Sequence, residues 1–145
     1  MTPLDLSLHP PRSPRVQLGD LCMLARTIDR ARGSLPGGNL GDYDTVESGL
    51  SSIMLGALHI TADEFVAAVK NAQSDDDVLA WVNERTDPAT RHAVNARMNA
   101  ARLADLSPER RAHIDAHYPP HIVDRCETGF ELLDDDDREA FAGRA

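Results

Sequence analysis

The chain has 145 residues, enough for one domain whose core needs neither a disulfide nor a structural metal. Hydrophobic residues make up 41% and aromatics 4%, which excludes a disordered composition and leaves a core of Leu, Val, Ile, Ala and Met, better suited to helices than to a β-sandwich. With 24 acidic residues against 15 basic ones the net charge is −9, which argues against a nucleic-acid partner, and no apolar run approaches the ~20 residues that span a bilayer, so no membrane partner is expected.

The opening stretch, residues 1–16, carries Pro3, Pro10, Pro11 and Pro14, which hold themselves and the residues before them extended. It reads as an extended arm over the domain, with Leu4, Leu6 and Leu8 alternating toward one edge. No secretory leader is read there, and Cys22 and Cys126 form no CxxC pair, so a reducing cytoplasm is the expected compartment.

A first helix is predicted from about Leu18 to Arg32, with Leu21, Ala25 and Ile28 on one stripe and Leu24, Ile28 and Ala31 on another. Gly33 stops it and a glycine-rich loop follows over 34–43. A second helix over about 47–58 shows Leu50, Ile53, Met54, Ala57 and Leu58 at i, i+3, i+4, i+7, i+8. Thr61 and Glu64 form a capping box for a third, and Ser74 with Asp77 caps a fourth. Asp87-Pro88 and Ser107-Pro108 pair an N-cap with a first-turn proline for a fifth and a sixth, the latter reaching His117. Ile122, Val123, Cys126 and Phe130 suggest a short seventh, and Asp134 or Asp135 caps a final turn ending near Phe141. The expected fold is all-α: one domain over 1–145, an irregular bundle of six to seven short helices with an extended proline-rich arm and an acidic segment over 134–145.

Five segments carry a family resemblance. PPRSPRVQLG at 10–19 precedes a helix containing ARTIDRARG at 25–33 and a loop ending in LGDY at 40–43; FVAAVKNAQSDDDVLAWV at 65–82 and TGFELLDDDD at 128–137 follow. Together they resemble DUF5069, over most of the chain, with the RSPR and LLD-acidic blocks most specific. The resemblance implies a small helical bacterial protein and no particular activity. The family pattern has a His and a Cys shortly after the LGxY tyrosine and an Asp before the second helix. Here Tyr43 is followed by Asp44, Thr45, Val46 and Glu47, and Leu50 falls near the place of that Asp.

Chemistry concentrates where arm, first helix and loop meet. Arg12, Arg15, Arg26 and Arg30 form a candidate anion clamp, since guanidinium forks bind carboxylates and phosphates bidentately. Asp29, Tyr43 and Asp44 are the candidate catalytic acid/base groups. The alternative is structural: Arg12 or Arg15 pairs with Asp29 and pins the arm down. His113 and His117 share a helix face at i, i+4, but HxxxH alone is weak, and the helix C-terminus accounts for two imidazoles without a metal. No metal or cofactor is called for. Cys22 reads as core, and Trp81, Tyr43 and Tyr118 as packing. The functional expectation is a cofactor-independent enzyme or binder of a small polar or anionic metabolite, monomer or homodimer, with its pocket between the N-terminal arm, helix one and the loop over 36–46. Its alternative is a protein–protein interaction module using the acidic C-terminal surface.

Overall fold

The computed structural model describes residues 1–143; the last two residues of the acidic segment lie outside it. Among the described residues there are eight α-helices: α1 Leu24–Gly33, α2 Gly49–Ala57, α3 Ala62–Asn71, α4 Asp75–Arg85, α5 Pro88–Ala100, α6 Pro108–His117, α7 Pro120–Arg125 and α8 Gly129–Ala140. A single 3-10 turn covers Leu103–Asp105, and extended pairing is limited to isolated bridges. The architecture is all-α, with one helix more than the sequence suggests.

Local chemistry accounts for most boundaries. The Thr61–Glu64 box closes reciprocally on α3, with Glu64 N–H donating to Thr61 Oγ1 at 3.1 Å and Thr61 N–H to Glu64 Oε2 at 3.2 Å. Asp87 accepts from Thr90 N–H at the start of α5, and Ser107 from Arg110 N–H at the start of α6, each ahead of its proline. At α4 the Ser74 side chain makes no capping bond; Asp77 instead accepts from the Gln73 N–H.

Two boundaries differ from expectation. The first helix begins at Leu24, not near Leu18, because Gly19 takes a φ of 59° and residues 18–21 close on themselves through mutual Leu18–Leu21 backbone bonds. Met23, at φ 68°, sets the axis of α1 while its N–H donates to the Pro14 carbonyl. At the other end, the acidic run does not start a helix. Thr128 does, accepting from Glu131 N–H, so Asp134 to Asp137 lie inside a full-length α8. Cys126–Thr128 separate this helix from α7, which is what raises the count.

α1 runs through the middle of the fold. Every one of its residues except Arg32 is buried. It packs against α3, α3 against α4, and α2 and α8 against α5. Leu24, Ile28, Met54, Phe65, Val78, Met98 and Phe130 join the core around it. A smaller cluster of Leu103, Ile122, Val123, Cys126 and Leu132 lies under α6 and α7. The arm is ordered: Leu4 and Leu6 exchange backbone bonds with Arg32 and Asn39, and Leu6 is fully buried, whereas Leu8 is exposed. Both cysteines are free and buried. No single helix among the described residues is long and apolar enough to cross a membrane; α2 and α3 satisfy that test only jointly, across a 95° bend.

Thr128→Ala should lower stability by ~1 kcal/mol through loss of the α8 cap, measured by urea denaturation. An unchanged midpoint would contradict the start assigned to this helix.

Candidate functional site

A buried helix bearing Arg26, Asp29 and Arg30 must find partners for each charge, since an unpaired buried charge is strongly destabilising. Asp29 is met by Arg12. The Arg12 Nε and Nη2 donate to the two Asp29 carboxylate oxygens at 3.0 Å each, and the Arg12 backbone N–H adds a third bond at 2.8 Å. The same guanidinium reaches Asp75 at the start of α4, at 2.7 and 3.1 Å. Arg12 thus fastens the arm to α1 and α4, and its donors are taken up by carboxylates. Arg15 is half-exposed and pairs with Asp134 on α8 at 3.0 Å.

Arg26 is 2% exposed and pairs with buried Asp137 of α8, at 2.6 Å from Nη1 and 3.2 Å from Nη2. Burial opposes its charge, and the hydrogen bond and field of Asp137 outweigh that effect. Tyr43 donates its hydroxyl to the same carboxylate at 2.6 Å. Burial first, then Asp137, hold the phenol protonated well above its ordinary range, which makes Tyr43 a donor and not a base. The Arg26 Nε, also buried, has no hydrogen-bond partner among the described residues.

Arg30 is solved differently. It is 7% exposed, and its donors go to the carbonyls of Asp44, Thr45 and Ser48 and to the hydroxyls of Ser48 and Ser51. No carboxylate of a described residue lies within ion-pair distance of it. Burial, and then the neighbouring Arg26, push its pKa down to about 10, so the group stays cationic at neutral pH without a neutralising anion.

Both guanidiniums line a cavity of about 240 Å³. Its walls come from α1, from Asp42 to Asp44 of the loop, from His113, His117 and Tyr118 at the end of α6, and from Leu133 and Asp136 of α8; the arm contributes Leu6 and Ser7. Asp136 makes no ion pair with a described residue, and burial, then Asp137, raise its pKa above the usual carboxylate range. The Asp44 carboxylate accepts from Ser48 Oγ at 3.2 Å and is likewise free of arginine. A second cavity of about 340 Å³, walled by Leu50, Ile53, Leu103, Leu106 and Ile114, shares His113, Tyr118 and Leu133 with the first.

The model of one family, described as a domain of unknown function, DUF5069, matches residues 8–139. The chain belongs to DUF5069. No curated protein matches it. Within this DUF5069 chain, the expected cluster divides. Arg26, Arg30, Tyr43 and Asp44 meet at the cavity, while Arg12, Arg15 and Asp29 are held in ion pairs away from it. The structural role weighed for Arg12 is the one its geometry describes. Sequence reasoning missed Tyr118 and Asp136 as cavity residues and gave His113 and His117 no place beside the loop. The only local signal was the HxxxHY ending of α6, which says nothing about what it covers.

Asp137→Ala leaves Arg26 charged and buried, and should cost ~3–5 kcal/mol in urea unfolding. A loss under ~1 kcal/mol would contradict the pairing. The hydrogen bond from Arg12 holds the Asp75 carboxyl below its ordinary 3.8, so its contribution is present above that value and lost as pH falls through the lower folded pKa. Asp75→Asn should therefore flatten the stability–pH curve below about pH 4, and an unaltered curve would contradict the pair.

Proposed function

We propose that this protein binds a small anionic or polar metabolite in the 240 Å³ cavity, as a binder or a cofactor-independent enzyme acting in the cytoplasm. The observation that carries the reading is Arg30: a buried arginine of the cavity lining, surrounded by carbonyls and hydroxyls and without a carboxylate partner among the described residues. Dipoles satisfy its hydrogen bonds but leave a full positive charge in a low-dielectric setting, which an anion would neutralise. Arg26, a second cavity-lining arginine whose buried Nε has no hydrogen-bond partner among the described residues, adds to the positive character of the same wall. Tyr43 contributes packing over Arg26, with the guanidinium 5.7 Å from its ring centroid. Asp42, Asp44 and Asp136 are the cavity carboxylates without an ion pair among the described residues, and they are the candidate acid/base groups in the enzymatic form of the reading.

The acidic C-terminal surface supports the interaction-module alternative less well. Asp134 pairs with Arg15, Asp135 with Arg125 and Arg138, and Asp137 with Arg26, so most of the run is spent within the chain.

The test is a thermal-shift screen of carboxylates, phosphate esters and inorganic phosphate, carried out in EDTA, with calorimetry on each hit. A stabilising anion should lose ~10- to 100-fold in affinity in Arg30→Gln, the size of one or two charge-assisted hydrogen bonds. Arg15→Ala should leave it unchanged, and Tyr118→Phe provides a milder probe of the same wall should Arg30→Gln fold poorly. A panel with no stabilising anion, or a hit indifferent to both cavity variants, would overturn the reading.

A further inference from the structure

We propose that Asp44, His113 and His117 form a binding site for a divalent transition metal of the zinc class on the wall of this cavity. A single ligand atom from each of the three lies within 4.8 Å of the other two. The histidines alone did not carry this conclusion, because two imidazoles at i, i+4 occur on many helix ends. The loop after α1 changes the chemistry by bringing a carboxylate to them from a sequence distance of about seventy residues. Two imidazoles and one carboxylate are a ligand set that holds Zn²⁺ with an open coordination position. All three residues are solvent-exposed and line the cavity.

The surroundings fit the assignment. The His117 Nδ1 sits 2.8 Å from the His113 carbonyl, which can only accept, so Nδ1 carries the proton and Nε2 presents its lone pair. This is the outer-shell arrangement that fixes the tautomer of a metal-binding histidine. The two rings stack at 4.1 Å between centroids, inclined by 27°, so the His113 ring turns out of the stack for both lone pairs to meet one ion. Ser48 Oγ donates to one oxygen of Asp44 and leaves the other open, while Arg30 Nε holds the Asp44 carbonyl at 3.0 Å and so anchors the loop. Bonds of ~2.0–2.1 Å at tetrahedral angles place ligand atoms ~3.4 Å apart. The side chains therefore need to close by no more than ~1.5 Å, which rotamer adjustment supplies.

The site shares a wall with the anion cavity but uses none of its arginines as ligands, so it stands or falls separately. The chelator-treated full chain is titrated with Zn²⁺ by calorimetry and with Co²⁺ by visible absorption, in a buffer without coordinating anions. The expected result is one equivalent bound, with a Co²⁺ spectrum of four-coordinate intensity. Affinity should fall more than ~10-fold in His113→Ala and in Asp44→Asn, with no change in His92→Ala, an exposed histidine on α5. His117→Gln serves as the second variant if Asp44→Asn disturbs the loop, and circular dichroism checks folding. Absence of stoichiometric binding, or binding that survives all three ligand substitutions, would overturn the proposal. Either of those results would leave the anion titration in EDTA untouched.

Discussion

The fold depends on a helix that is buried on nearly every side yet carries three buried charges. α1 supplies apolar contacts through Leu24, Ile28 and Ala31, and places Arg26, Asp29 and Arg30 among them. A charge removed from water needs a partner, and the partners come from far along the chain. Asp29 draws Arg12 of the arm, which also takes Asp75 of α4; Arg26 draws Asp137 of α8. These pairs act as fasteners between the central helix and three peripheral segments. They explain why an arm with four prolines and little secondary structure is ordered.

Arg30 departs from that scheme, and the departure gives the cavity its character. Its partners are the carbonyls of a loop and two serine hydroxyls. The loop is thereby wrapped around a cation, with Tyr43 and Asp44 held toward α6 and α8. Evolving a carboxylate at Ser51 or Ser48 would have neutralised the charge internally. The Arg30 guanidinium, without a carboxylate partner among the described residues, instead belongs to a residue that lines a space of small-molecule size, as does Arg26. The same loop brings Asp44 beside the two histidines of α6. The anion and metal proposals thus rest on a single loop placement, read from different side chains.

Most of the helices were legible in the sequence because their starts are local. Thr61 with Glu64, Asp87-Pro88 and Ser107-Pro108 fix α3, α5 and α6 from neighbouring residues alone. The start of α1 was less legible, because Leu18 and Leu21 fit a helical stripe while Gly19 turns the chain. Asp134 to Asp137 look like a helix start, yet Thr128 had already capped α8 six residues earlier. In the site, Arg26, Arg30, Tyr43 and Asp44 could be grouped from the helix register and the adjoining loop. The Arg12–Asp29 pair was within reach of the sequence, but the second carboxylate of Arg12 and the partner of Arg15 were not, since they lie 63 and 119 residues away. His113, His117, Tyr118 and Asp136 join the cavity only through the way α6 and α8 close over the loop, a tertiary event with no local signature.

The central claim is that the Arg30 charge is completed by a bound anion inside the cavity. The most direct measurement is a crystal structure of the protein soaked in selenate, with anomalous data collected at the selenium edge. The account predicts an anomalous peak within hydrogen-bond distance of the Arg30 or Arg26 guanidinium and enclosed by Tyr43 and Tyr118. Selenate found only on exposed arginines of the surface, with none in the cavity at saturating concentration, would contradict it.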